Sequence, residues 1–301
     1  MQNVKVGNAT KTKFSPLTFA LFIVLTAYVL FMLVLFVWVF LTASKAYFND
    51  YSSFEPDLYP DNLIGFPKKF VLFENLAEIN KGFSDNTLWS MALNTIAYSV
   101  GCSLSKVTVT CVVAYLCARY DNWFSKLVYN VVIVTMIVPI VGSQAAEIQM
   151  AKELMLYNQV WGMWMMRANF LGMYVLVFNS VFKSMPAGYY EAAKIDGAND
   201  WHVMCRVALP LAKYTFLSIF LIIFIEYWND YLIPNLYLPD YKTLSLALYQ
   251  QSRGQELKNT QLQYVPYVMA TVLFVTVPVI ILFSVFSKRL MGNLSVGGLK
   301  G

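Results

Sequence analysis

Long apolar runs separated by short polar segments dominate the chain, and the runs are too long for the core helices of a soluble domain. A membrane span needs about 20 apolar residues at a rise of about 1.5 Å each. Six segments meet or approach that length: residues 17–41, 88–116, 127–146, 160–182, 211–232 and 265–286. The first is longer than a signal-peptide core and lacks a small-residue cleavage site, so it reads as a helix of the mature protein. Pro139 interrupts the third, a kink that lipid tolerates when neighbouring helices satisfy the freed carbonyl. The pattern predicts an all-α integral membrane protein with six transmembrane helices.

The polar segments between the runs set the domain organisation. Residues 1–15 form a basic N-terminal tail, 16–287 the transmembrane domain, and 288–301 a basic, Gly-rich C-terminal tail. Loop 42–87 is the largest connection, with Pro56, Pro60, Gly65 and Pro67 among acids and aromatics, and 72–81 within it predicts a short helix. Lys and Arg placement gives orientation, because cytoplasmic loops carry the excess. With both termini inside, the inner segments hold 12 of the 22 basic residues and the outer segments 8.

Composition agrees. The chain is 58% hydrophobic and 13% charged, against about 25% charged in soluble domains. The net charge of +5 follows topology, since no basic run interleaved with aromatics suggests nucleic acid. Cys102, Cys111, Cys117 and Cys205 lack CxxC spacing, so neither a disulfide nor a metal site is expected. The chain contains no Gly-x-x-x-x-Gly-Lys-Ser/Thr loop, no Ser-His-Asp constellation and no His-Glu-x-x-His motif.

One inner loop, residues 186–210, differs from the rest. Pro186 stops an apolar run and 187–195 is helix-prone. Gly197 can take positive φ cheaply, and Asp200 can cap a second helix. In that helix Trp201, Met204, Cys205 and Ala208 fall on one stripe, while His202 and Arg206 share the other side. Leu209-Pro210 closes the unit. An amphipathic hairpin lying on the inner membrane surface has the same pattern, so the residues alone leave both readings open.

Glu191-Ala192-Ala193, Gly197 and Leu209-Pro210 resemble the Glu-Ala-Ala…Gly…Leu-Pro signature of binding-protein-dependent ABC importer permeases. Other segments resemble its carbohydrate branch, the maltose-transporter G-type permeases. These are Ala114–Tyr120 at a span end, Met136-Ile137-Val138-Pro139, Tyr227-Trp228-Asn229-Asp230, and the tail from Phe286 to Lys300-Gly301. The resemblance implies a type I importer permease fold in which loop 186–210 is a coupling helix docking on a cytosolic ATPase. Glu191, Ala192, Ala193 and Gly197 would form the signature, with Asp196 beside its turn. Trp201 and Met204 would pack on this subunit's helices or in the ATPase groove, and the C-terminal tail would be a second contact. It also implies a second permease subunit in a heterodimer, two ATPase subunits that hold ATP and Mg, and an extracytoplasmic solute-binding protein. This chain itself would bind no cofactor and catalyse no reaction.

Ionisable residues inside spans are functional candidates. Lys106 and Glu226 differ in depth by about 12 Å at 1.5 Å per residue, too far for a direct pair. Glu226, Tyr227, Trp228, Asn229 and Asp230 offer the aromatic faces and polar groups that hold sugars, and are the candidate substrate path. An interfacial aromatic belt explains the rings alone. Two readings of other classes remain: a membrane enzyme acting on lipid-linked substrates, and a non-catalytic scaffold docking a different cytosolic protein. The first lacks an acid/base or metal cluster; co-purification of an ATPase separates the second.

Overall fold

Apolar runs become helices because a backbone in lipid must satisfy its own hydrogen bonds. The structure, a computed structural model, describes residues 16–46, 65–83, 86–138, 142–255 and 257–294. The tail 1–15, residues 47–64 and 84–85 of loop 42–87, the Pro139 kink and residues 295–301 of the C-terminal tail therefore lie outside the described residues.

In chain order the helices begin with α1 (Pro16–Ala43), α2 (Leu72–Gly82), α3 (Leu88–Arg119), α4 (Trp123–Ile137) and α5 (Gln144–Glu153). Next come α6 (Val160–Met166), α7 (Met173–Ser184), α8 (Ala187–Ile195) and α9 (Asp200–Val203). A π-turn (Met204–Ala208) leads from α9 into α10 (Leu209–Leu211), followed by α11 (Lys213–Trp228), α12 (Leu232–Tyr237) and α13 (Leu244–Ser252). The last is α14 (Val265–Leu294), so the helix runs beyond the expected end of the span at 286. No strand occurs among the described residues.

Several helix starts are fixed by the chemistry of the residue ahead of them. Thr87 and Ser90 form a reciprocal capping box at the start of α3, and Asn122 accepts from the Ser125 amide at 2.8 Å to start α4. Helix α2 occupies the place its sequence predicts, and its Asn75 amide donates to the Ala43 and Lys45 carbonyls, satisfying the end of α1.

Three helices, α1, α3 and α14, are long and apolar enough to cross a membrane, and the bent unit α9–α11 brings the number to four at most among the described residues. The six continuous spans expected from hydropathy are thus not all present. The third divides into α4 and α5, and Gly142 takes φ +85° just before α5. The fourth divides into α6 and α7, with Gly172 at φ +137° between them. Both dihedrals lie where residues with a Cβ are strained, so glycine lets the chain break inside a run that hydropathy reads as unbroken.

Helix α3 is the central post, packed by α11, α7 and α6. Tyr98, Cys102, Val107, Cys111, Ala114 and Tyr115 from α3 meet Val175, Phe178 and Phe182 of α7 and Ile219, Ile223 and Tyr227 of α11 in the larger core. A second core joins Ile79, Met91, Phe224, Trp228, Leu244 and Leu273. Helix α1 packs along α14 and is exposed from Pro16 to Val37, an apolar surface all round that suits lipid or another subunit.

Candidate coupling site and permeation cluster

The 186–210 loop folds as a helix, a turn and a second helix, and its hydrogen bonds explain the spacing of the signature residues. The Ala198 amide donates to the Ala193 carbonyl at 2.9 Å and the Gly197 amide to the Lys194 carbonyl at 3.0 Å. This pair of bonds is a Schellman cap, with Gly197 in the left-handed position at φ +78°. Ala193 and Ala198 pack on the larger core as the apolar contact of that cap. The Ala-x-x-x-Gly spacing is therefore the spacing of a helix terminus.

The second helix is capped by Asn199, whose Oδ1 accepts from the His202 amide at 2.8 Å. The sequence favoured Asp200 for that role. Asp200 is engaged elsewhere: it pairs with Lys194 at 3.4 Å across the two helices and accepts from the Tyr120 hydroxyl. The Tyr120 hydrogen bond, then Lys194, hold its carboxyl below the ordinary value. The second helix widens into the π-turn, where the Leu209 amide reaches back to the Met204 carbonyl. Pro210 has no N–H for the Arg206 carbonyl, which accounts for the altered ladder at this point.

The apolar stripe is also shifted from its expected register. Val203, Met204 and Ala208 are buried and Cys205 is half-buried, whereas Trp201 is 67% exposed. Trp201 is thus not packed on this subunit's own helices. Ile195 is 85% exposed, and Glu191, Ala192, Asp196 and Gly197 share the open surface. Helix α8 is held down by Tyr190, 4% exposed, whose hydroxyl donates to Met185 Sδ at 3.3 Å and whose ring lies 4.5 Å from the Arg119 guanidinium carbon. Arg119 and Tyr120 belong to the span-end motif Ala114–Tyr120 that the sequence singles out, without its placing them against the island, and Tyr190 and Asn199 are given no role by the sequence. A tyrosine three residues before the second Ala of an Ala pair carries no motif, so of these two only an Asn ahead of a helix start offered a signal.

At the other end of α11 the five residues 226–230 do not form one face. Trp228 is 3% exposed in the second core, with Nε1 donating to the Val275 carbonyl at 3.1 Å. Tyr227 is buried edge-on against Tyr98, and Lys106 Nζ lies 5.8 Å from its ring centroid. Asp230 accepts from the Tyr98 hydroxyl at 2.9 Å and from the Leu232 and Ile233 amides, capping α12. Asn229 is exposed and its amide bonds back to the Ile225 carbonyl at 2.9 Å. Glu226 is exposed, and no ion pair joins it to Lys106 among the described residues. Glu226 and Asn229 are therefore the members whose side chains lie on the open surface of this chain. Arg167, at the break between α6 and α7, has Nε and Nη2 buried without hydrogen-bond partners and faces the Tyr237 ring at 5.9 Å.

The sequence profile of the family described as the binding-protein-dependent transport system inner membrane component matches residues 110–294, which include the whole helical island. Among curated relatives, the diacetylchitobiose uptake system permease of Streptomyces coelicolor is 26% identical over 230 residues, covering 75% of this chain and 73% of that protein. The sn-glycerol-3-phosphate transport system permease of Escherichia coli K12 is 26% identical over 173 residues, covering 56% of this chain and 61% of that permease's length. A solved bacterial ABC transporter involved in import of the acidic polysaccharide alginate has a chain of the same fold, with a TM-score of 0.70 at 20% identity over 92% of this chain and 99% of its own. With more than half its length matched, signature island included, the chain belongs to the inner membrane components of binding-protein-dependent transport systems.

Proposed function

We propose that the chain is the permease subunit of an ATP-driven importer for a sugar or oligosaccharide, and that loop 186–210 is where a separate ATPase drives it. The observation that carries this reading is the island's open surface: Ile195 and Trp201 stand exposed beside Glu191 and Asp196 on a unit fixed from below by Tyr190, Ala193 and Ala198. A large apolar surface of that kind next to charge suits a protein partner. The carbohydrate assignment rests on the diacetylchitobiose relative and on the branch-specific residues Tyr227-Trp228-Asn229-Asp230.

The geometry supplies a route for the force. From α9 the chain passes through the π-turn and α10, bends by 73°, and continues as α11 to Trp228. Movement of the island therefore reaches the Glu226–Asp230 end along α11, whose 16 residues are about 24 Å long at 1.5 Å per residue. ATPase closure pulls the island, tilts α11 against α3 and opens the path at its far end. The importer is completed by a second permease in a heterodimer, two ATPase subunits carrying ATP and Mg, and an extracytoplasmic binding protein. Both termini lie on the cytosolic side.

The test is to make Gly197→Pro and Glu191→Lys in the assembled importer and measure ATP hydrolysis and solute uptake together. Both variants are expected to insert and to hydrolyse ATP without transport. Normal uptake by both sinks the assignment.

A further inference from the structure

We propose that a polar cavity at the root of α8 binds a phosphate-class anion that braces the island against the bundle. The cavity, about 210 Å³, is lined by Arg119, Lys183, Tyr115, Tyr190, Met185 and Ala187 among others, with no carboxylate in its wall. It is smaller than the roughly 300 Å³ at which pockets for ordinary small-molecule ligands begin. A sugar is thus a poor occupant. A phosphate group and a few waters, at about 30 Å³ each, fit.

The charges around it are unbalanced. Arg119 and Lys183 stand in the last turns of α3 and α7, where the helix dipole favours a cation. That explains their placement but gives their N–H donors no anionic partner. The contacts recorded for the two heads are with rings: Arg119 over Tyr190, and Lys183 Nζ 5.5 Å from the Tyr129 centroid. No ion pair holds either one among the described residues. The nearby acids act on the two cations only at longer range: Asp200 is held first by Tyr120 and Lys194 with Arg119 a weaker influence, and Asp121 pairs with Lys126 at 2.9 Å with Lys183 a weaker influence. The cavity also meets the start of α8 at Ala187, where Pro186 supplies no side-chain cap. Tyr189 already donates to the Pro186 carbonyl at 3.3 Å, which leaves the Ala187 and Gly188 amides as the ones that favour an anion. Three elements, α3, α7 and α8, thus converge donors on one hollow.

Two sources carry this chemistry, a lipid headgroup at the bilayer surface and free inorganic phosphate. The experiment uses the purified, assembled importer and reads hydrogen exchange of the α8 amides. One arm adds inorganic phosphate in phosphatidylcholine nanodiscs; the other replaces part of the phosphatidylcholine with phosphatidylglycerol. Protection by phosphatidylglycerol alone supports the site with a lipid occupant, and protection by added phosphate supports it with a free anion. Lys183→Gln removes one exposed charge without disturbing the core and is expected to weaken the protecting ligand about tenfold, the loss of one charge-assisted contact. Exchanging the cations, Arg119→Lys with Lys183→Arg, retains protection. If neither ligand protects α8, or if Lys183→Gln responds exactly as the wild type does, the proposal is wrong.

Discussion

Replacing Gly197 by alanine isolates one term of the island's stability. An ideal Cβ at Gly197 meets no atom within 4 Å, so the substitution creates no clash. Its cost is conformational: at φ +78° an alanine pays the left-handed penalty of about 1–2 kcal/mol. That is enough to raise the open population of the turn about 5–30-fold. Asparagine tolerates the same region better, so Gly197→Asn should fall between glycine and alanine. Proline is worst, because it fixes φ near −65° and deletes the amide that bonds to the Lys194 carbonyl. The assay is hydrogen exchange at residues 197 and 198, followed by the ratio of solute moved to ATP hydrolysed. The expected order of protection and coupling is Gly, Asn, Ala, Pro. Equal exchange in the glycine and alanine proteins, or asparagine as damaging as alanine, refutes the claim that a Schellman cap holds the turn.

Further outcomes follow from the same contacts. Trp228→Ala empties a site in the second core and loses the bond to Val275, so it should destabilise by about 3–5 kcal/mol, read as a loss of thermal stability before any change in solute affinity. Asn229→Ala removes a surface bond within its own helix and should change stability by no more than about 0.5 kcal/mol. A fall in uptake rate at unchanged stability identifies Asn229 as a path residue, and unchanged uptake removes it from the path. The Asp200 carboxyl is depressed below 3.8 by Tyr120 and Lys194, so its tie between α8 and α9 is fully present above that pH and is lost as pH drops through the lower folded value. Protection of α9 amides should accordingly ignore pH across the neutral range and fall only in acid; Asp200→Asn should remove the acid transition.

Hydropathy found what depends on solvent and missed what depends on dihedral angle. Runs 17–41, 88–116 and 265–286 became α1, α3 and α14 because each is long and apolar, and neither Gly101 in α3 nor Pro278 in α14 breaks its helix. The third and fourth runs score as apolar, but Gly142 and Gly172 hold positive φ, a property of the fold that composition does not record. The island was legible as a helix pair because Gly197 and its alanines obey local cap rules. The cap went to Asn199 instead of Asp200 because both side chains can accept from the backbone and only tertiary structure supplied Lys194 and Tyr120 to claim Asp200. Likewise the π-turn rotates the stripe toward Val203, a change no regular period of 3.6 anticipates.

The two candidate regions are joined through α11. Consecutive helical residues point about 100° apart, so five in a row cannot all face a solute. In α11 this divides the work: Tyr227 and Trp228 lock the helix to α3, α13 and α14, while Glu226 and Asn229 stay on the open side. A helix so locked moves as a rod, because close-packed cores shift between discrete arrangements and do not stretch. Its lower end is less constrained, turning through a π-turn and a 73° bend into an island whose outer face touches nothing in this chain. On the coupling role proposed for the island, force applied at Ile195 and Trp201 moves α11 and its polar edge together. Loosening the lock with Trp228→Ala should then uncouple ATP hydrolysis from transport even at temperatures where the protein stays folded, whereas Asn229→Ala should slow transport and leave the coupling ratio intact.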